Sequence, residues 1–110
     1  MADTQDTYRT VTPYLVVPNA DAELAFLKAA FGGAELETRS HRHDDGSVVH
    51  AEVTIGNSLV MLGQASAQWP ARSAALFLWV DNVDAAYAKA LAAGASPENV
   101  PEDKPYGHRS

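Results

Sequence analysis

The chain has 110 residues, of which 46% are hydrophobic and 20% charged, with a formal net charge of −6 at pH 7 and no cysteine. This length fits one domain with a sizeable hydrophobic core. The acidic balance argues against nucleic acid or an anionic membrane as a partner and favours neutral or cationic ligands. The lack of cysteine excludes disulfides, thiolate zinc sites and cysteine nucleophiles.

The sequence shows no membrane or export signal. No apolar run approaches the roughly 18 residues that a membrane-spanning helix needs. The first six residues are polar and acidic, unlike a secretory signal peptide. We therefore expect a cytoplasmic protein with no membrane association.

One stretch of the chain occurs twice. Residues 14–22 read YLVVPNADA, and residues 77–85 read FLWVDNVDA. Each copy is an apolar run, a turn containing Asn, and Asp-Ala at the start of an alanine-rich helix. A repeated strand, turn and helix indicate one structural unit used twice.

The first copy opens a module that we assign to residues 10–63, after a polar arm at residues 1–9. Residues 10–17 are rich in β-branched and aromatic residues, which predicts a strand that ends at Pro18. Asn19 is a favourable N-cap for the following helix. Gly32-Gly33 ends that helix, because glycine tolerates left-handed backbone. The buried stripe of the helix is predicted to contain Ala20, Leu24, Leu27 and Phe31.

Three further strands are predicted in this module. Residues 35–42 indicate a polar strand, followed by a hairpin turn at residues 44–46. Residues 47–55 alternate in polarity, which is typical of a half-buried strand. Residues 59–62 form a short apolar strand. In the alternating strand, Val49, Ala51, Val53 and Ile55 share one face, and His50, Glu52 and Thr54 share the other.

The second module is shorter. A linker at residues 64–73 leads to a strand at residues 74–80 and to a helix capped by Asp81 or Asn82 that ends at Gly94. Three prolines follow, which leaves room for one short strand near residues 98–100. The second module, residues 74–110, therefore lacks two strands that the first one has.

The repeat orients both modules. If each helix packs on its own strand, the shared residues Leu15 with Leu78, and Val17 with Val80, face the helices. The other side of the sheet then curves around a cleft with aromatic walls, one carboxylate and one imidazole. That composition suits a small-molecule site. The residues predicted to line the cleft are Tyr14, His50, Glu52, Thr54, Phe77 and Trp79.

Four segments of the chain carry a family resemblance, namely Thr12-Pro13-Tyr14-Leu15-Val16-Val17, Phe31-Gly32-Gly33-Ala34, residues 50–58 (HAEVTIGNS) and residues 78–84 (LWVDNVD). Together they resemble the vicinal oxygen chelate superfamily of glyoxalases, bleomycin-resistance proteins and extradiol dioxygenases. The resemblance runs from Val11 to the end of the chain. It implies an α+β fold of paired β-α-β-β-β modules, with a curved, U-shaped sheet, helices on its outer face and an incomplete second module.

The resemblance also implies a divalent metal in the cup of the enzymes. At the first two of its four ligand positions this chain has Thr12 and Glu52. At the third it has Ala74-Ala75, which cannot bind a metal, and the fourth is a glutamate on a final strand that the chain does not reach. His50 and Glu52 lie on one strand face and could touch one ion, but two ligands would hold it weakly. Family members continue past the position of Ser110, so either the protein is a fragment or further residues follow.

Three functional hypotheses follow. The first is a metal-independent small-molecule binding protein of the bleomycin-resistance type, which forms a homodimer through the unpaired strand edge of its second module. The alternative is a metal-dependent lyase, isomerase or dioxygenase with Glu52 as a metal ligand. The third is a structural or regulatory dimer whose cup is filled by Tyr14, Phe77 and Trp79. Whether the protein is an enzyme stays open.

Overall fold

The computed structural model describes residues 8–110, so most of the predicted polar arm, residues 1–7, lies outside the described residues. Within residues 8–110, neither helix has the length and apolar character needed to cross a membrane. The elements in chain order are β1 (Tyr14–Val17), α1 (Ala20–Phe31), β2 (Ala34–Glu35), a 3₁₀ helix (Glu37–Arg39), β3 (His41–Arg42), β4 (Val48–Ile55), β5 (Ser58–Gln64) and α2 (Val83–Ala92).

The five strands form one curved open sheet in the order β1-β5-β4-β2, with β3 also paired to β4. β1 runs parallel to β5, and the other pairs are antiparallel. Helix α1 packs on one face of this sheet, which confirms the predicted α+β class. The core between them contains Leu15, Ala20, Leu24, Leu27, Val48, Ala51, Val53, Val60 and Leu62.

The ends of α1 follow from specific contacts. Asn19 caps the helix by accepting a hydrogen bond from the Ala22 amide, as predicted. The Gln64 side chain adds a second clamp, because it accepts from the Ala20 amide at 2.9 Å and donates to the Pro18 carbonyl at 2.7 Å. Gly32 ends the helix in the left-handed conformation, with φ of 67°.

The alternation of β4 is interrupted by a bulge. His41 pairs with His50, but Arg42 pairs with Val48, so β4 carries one extra residue at this point. As a result Val48, and not Val49, is the fully buried valine at this end of the strand. The Asp21 carboxylate accepts from the Val48 amide at 3.3 Å. The prediction for Ala51 and Val53 holds, because both follow the bulge and lie in the core.

The single polar strand predicted at residues 35–42 is wrong. The 3₁₀ helix separates β2 from β3, and the Ser40 hydroxyl after it donates to the Leu36 carbonyl before it. Glu35 spans the interruption by accepting two hydrogen bonds from the Arg42 guanidinium, at 2.7 and 3.0 Å. Lys28 of α1 lies 3.4 Å from the same carboxylate, whose side chain is 4% exposed. This ion-pair cluster fixes the 3₁₀ helix on the sheet.

The second module forms its helix but not its strands. Helix α2 is capped by Asn82, which accepts from the Ala85 amide, and it packs beside α1 without burying any residue. The strands predicted at residues 74–80 and 98–100 are wrong for the described chain, in which neither range joins the sheet. Without a ladder partner, the first of these segments leaves Val80 38% exposed instead of burying it under a helix.

The Glu35 cluster should make folding stability depend on acidity. Hydrogen bonds from Arg42 lower the pKa of Glu35 from 4.5 to about 2. The depressed pKa means that this carboxylate stabilises the fold above its ordinary pKa, and that the contribution is lost as the pH falls from about 4.5 towards 2. We expect Glu35→Gln to lower the free energy of unfolding at pH 7 by about 1–3 kcal/mol in urea titrations.

The exposed neighbour Glu37 provides the matched control. Glu37→Gln should change the free energy of unfolding by less than about 0.5 kcal/mol, and it should keep the acid sensitivity of the parent protein between pH 5 and 2. Equal effects of the two substitutions would contradict a specific role for Glu35.

Candidate functional site

Three of the predicted site residues meet on the face of the sheet that α1 does not cover, which we call the open face. Tyr14, His50 and Glu52 alternate with Leu15, Ala51 and Val53, whose side chains lie in the core. Because successive strand residues point to opposite faces, the first three project onto the open face. The register places Glu52 beside Met61 on β5, and Met61 beside Tyr14 on β1. The residues are therefore spatial neighbours across three strands.

A chain of hydrogen bonds joins these side chains. The Tyr14 hydroxyl lies 3.1 Å from His50 Nδ1, and His50 Nε2 lies 2.9 Å from Glu52 Oε2. An ionised carboxylate only accepts hydrogen bonds, so Nε2 donates to Glu52. In the neutral imidazole, Nδ1 is then the acceptor and Tyr14 is the donor. Glu52 thus sets the tautomer of His50.

Tyr8 completes the chain from a segment that the sequence did not assign to the fold. Its hydroxyl donates to Glu52 Oε1 at 2.6 Å, and the Arg39 guanidinium lies 5.0 Å from the centre of its ring. The hydrogen bond to Glu52 raises the pKa of Tyr8. The interpretation of residues 1–9 as an arm outside the fold is therefore wrong for Tyr8, and the aromatic ring in an otherwise polar segment was the signal.

Glu52 is buried although it lies on the open face. Its residue exposure is 5%, and both of its carboxylate oxygens are hydrogen-bonded. Its backbone anchors the 3₁₀ region, because the Leu36 amide donates to its carbonyl at 2.8 Å and its own amide donates to Ser40 Oγ at 3.4 Å. These bonds bring Arg39 next to Tyr8. Sequence reasoning missed Arg39, since nothing in its local pattern distinguishes it from other surface arginines.

Gly63 creates the space for the Tyr14 ring. It pairs with His50 across β4 and β5, and a Cβ atom at this position would lie 2.8 Å from Tyr14 Cε1 and Oη. The Tyr14 and His50 rings are tilted by 39° with centres 5.5 Å apart. A side chain at position 63 would therefore push Tyr14 away from His50.

The structure places the other predicted site residues elsewhere. Thr54 donates to the Ala34 carbonyl at 3.4 Å, towards the β2 end of the sheet. Phe77 and Trp79 are 72% and 73% exposed and line a groove of about 670 Å³ between residues 55–60 and 76–81. Glu52 and His50 do not line this groove. We place the candidate site on the open face, because the buried and fully hydrogen-bonded carboxylate lies there.

The donor set on the open face does not fit the metal site that the family resemblance implies. His50 and Glu52 are hydrogen-bonded to each other, and within residues 8–110 no third His, Cys, Asp or Glu side chain joins them. A catalytic zinc site uses three protein ligands and one open position. Thr12, at the first implied position, lines the groove beside Phe77 and Trp79.

The contact between Tyr14 and His50 can be tested without a ligand. Gly63→Ala should displace Tyr14, because the new methyl group would overlap its ring, and should lower the free energy of unfolding by about 0.5–1.5 kcal/mol. The ¹⁵N resonance of His50 Nδ1 should then match that in Tyr14→Phe, in which the hydroxyl is removed directly. An Nδ1 resonance that Gly63→Ala leaves unchanged would contradict the role of Gly63.

Several solved structures are similar to this chain. A solved structure of TioX from Micromonospora sp. ML1 is 24% identical, with 93% of this chain and 85% of that chain covered and a TM-score of 0.69. A glyoxalase/bleomycin resistance protein/dioxygenase family enzyme from Burkholderia phytofirmans PsJN is 24% identical, with 87% of this chain and 81% of that chain covered and a TM-score of 0.67. A gene product from Arabidopsis thaliana is 20% identical, with both coverages 94% and a TM-score of 0.63.

These structural likenesses are low in identity and show the fold alone. No curated protein sequence matches the chain significantly. The family model of the Glyoxalase/Bleomycin resistance protein/Dioxygenase superfamily, however, matches residues 8–110. With its fold and nearly its whole length matched, the chain belongs to the glyoxalase/bleomycin resistance protein/dioxygenase superfamily.

Proposed function

We propose that this protein binds a small molecule on the open face of its sheet and does so without a metal ion, as a binding protein of the bleomycin-resistance type. The observation that carries the proposal is the chain of hydrogen bonds from Tyr8 through Glu52 and His50 to Tyr14. A fixed set of polar groups beside aromatic rings is the usual composition of a small-molecule site.

The side chains joined by these hydrogen bonds have separate roles in binding. Tyr14 is 52% exposed and offers both a ring face and a hydroxyl to a ligand. His50 is partly buried and held in one orientation by Glu52, so its position is set before a ligand arrives. Glu52 supplies the negative charge. Together with the net charge of −6, this favours a neutral or cationic ligand over an anionic one.

The bonding of Glu52 supports the metal-free form of the proposal. Both carboxylate oxygens already accept short hydrogen bonds from protein groups, at 2.6 and 2.9 Å. A metal ion would have to break these bonds and would gain two side-chain ligands from the described residues, fewer than a catalytic site uses. The metal-dependent lyase, isomerase or dioxygenase remains the alternative that experiment must separate from binding alone.

A fragment screen can distinguish metal-free binding from the metal-dependent alternative. We expect neutral and cationic aromatic fragments to shift the backbone amide resonances of His50, Met61 and Tyr14 in ¹H–¹⁵N spectra of the full chain. The affinity of each hit should be the same with and without excess EDTA. Glu52→Gln should weaken hits that contact the site by about tenfold or more, because the amide no longer provides a charged acceptor and disturbs the orientation of His50.

Glu37→Gln removes one carboxylate at an exposed position and is the control for net charge. It should leave the affinities within about twofold. Loss of all binding in EDTA, restored by zinc, nickel, manganese or iron, would replace the binding-protein proposal with the metal-dependent one. Absence of any shift on the open face would refute both.

We further propose that the protein is a homodimer. Residues 74–80 have no ladder partner within the described chain, and Phe77 and Trp79 project from them largely into solvent. An apolar segment with unpaired backbone groups favours pairing with another strand, and a second copy offers a matching edge. The groove of about 670 Å³ beside this segment would be covered in such a pairing.

Sedimentation equilibrium at micromolar concentration should give twice the monomer mass. Trp79→Asp should weaken the dimer at least tenfold, because it buries a charge in the apolar contact. Trp69→Asp, at an exposed tryptophan in the preceding loop, should leave the dimer intact. A monomeric parent protein, or equal effects of the two substitutions, would contradict the assignment.

A further inference from the structure

The surroundings of Tyr8 resemble those of a bound ligand. Tyr8 lies six positions before β1 and belongs to no helix or strand. Among residues 8–110, no backbone–backbone hydrogen bond involves Tyr8. Its hydroxyl contacts Glu52 and its ring faces Arg39, so its side chain supplies the contacts that hold it on the open face.

Each contact recognises a different part of the tyrosine side chain. Glu52 Oε1 accepts the phenolic hydrogen over 2.6 Å, a distance typical of a charge-assisted O–H···O bond. The Arg39 guanidinium, 5.0 Å from the ring centre, interacts with the π face. An acceptor and a cation placed in this way select an aromatic ring that carries a hydroxyl group.

Displacing Tyr8 leaves Glu52 Oε1 without its protein donor. The Glu52 side chain is 7% exposed, and Tyr8 is the partner of Oε1 within residues 8–110. A buried acceptor that loses its donor is unfavourable, so whatever displaces Tyr8 must bring a donor of its own. Water could supply the donor, but it could not replace the ring that faces Arg39.

We propose that Tyr8 occupies a subsite for hydroxyaromatic ligands, formed by Glu52 Oε1 and the Arg39 guanidinium, and that such a ligand binds by displacing Tyr8. This proposal rests on the proposed function and assigns a ligand class to it. The subsite adjoins His50 and Tyr14 through Glu52, so a ligand in it could extend along the hydrogen-bonded chain. Tyr8 then acts as a competitor within the protein, and it lowers the affinity for hydroxyaromatic ligands.

The test uses p-cresol, which matches the tyrosine side chain, and toluene, which lacks the hydroxyl group. Both are titrated into the full chain and followed by ¹H–¹⁵N spectra. We expect Tyr8→Ala to bind p-cresol at least tenfold more tightly than the parent protein, with the largest shifts at Arg39 and Glu52. Toluene should gain less than threefold. Adding Glu52→Gln to Tyr8→Ala should remove the gain for p-cresol.

Tyr8→Phe is a control for structural damage in Tyr8→Ala, since it keeps the ring and removes only the hydrogen bond from the hydroxyl to Glu52. It should bind p-cresol at least threefold more tightly than the parent protein. Equal p-cresol affinity in the parent, Tyr8→Ala and Tyr8→Phe would overturn the proposal, as would an equal gain for toluene or shifts remote from Arg39 and Glu52.

The outcomes separate this inference from the proposed function. If p-cresol or the screened fragments bind on the open face with affinities that do not depend on Tyr8, the subsite is refuted and the binding function stands. If no variant binds p-cresol and no fragment shifts the open face, both are refuted.

Discussion

A carboxylate buried on a sheet face must find hydrogen-bond donors, and this constraint on Glu52 organises the site. His50, two residues along the same strand face, supplies one donor, and Tyr8 supplies the other from a distant part of the chain. The bond to Glu52 orients His50, and His50 in turn holds the Tyr14 hydroxyl. One buried charge thereby fixes three side chains and gives the open face a defined chemical character.

The scaffold around Glu52 is built from close contacts that demand small or paired residues. Gly63 leaves the space into which Tyr14 folds over the sheet. Gly33 has a similar role on the other side, since a Cβ atom there would lie 2.8 Å from Val53 Cγ1. The ion pair between Glu35 and Arg42 closes the 3₁₀ helix that carries Arg39. The positions of Tyr14 and Arg39 thus depend on constraints outside the site.

The two modules differ in how much apolar surface they bury and in whether their strands find partners. The first module buries Leu15 in the core and packs Val17 against that core, and its strands pair with one another. The second module repeats the sequence pattern, yet Val80, the counterpart of Val17, is 38% exposed and α2 buries no residue. The same local pattern therefore gives a core in one context and an apolar surface in the other, because burial requires partner strands as well as periodicity.

Local sequence determined the elements of the first module and the face on which the polar residues lie. Helix α1 begins at the Asn19 cap and ends at Gly32, and alternation placed His50 and Glu52 opposite the core, because caps and strand periodicity act within a few residues. Tertiary structure decided the rest. The bulge at Val48, the break between β2 and β3, the docking of Tyr8 on Glu52 and the separation of Phe77 and Trp79 from the open face depend on contacts between distant segments. Such contacts leave no periodic trace in the sequence, since pairing register, ion pairs and the need to satisfy a buried charge are settled only when the segments meet.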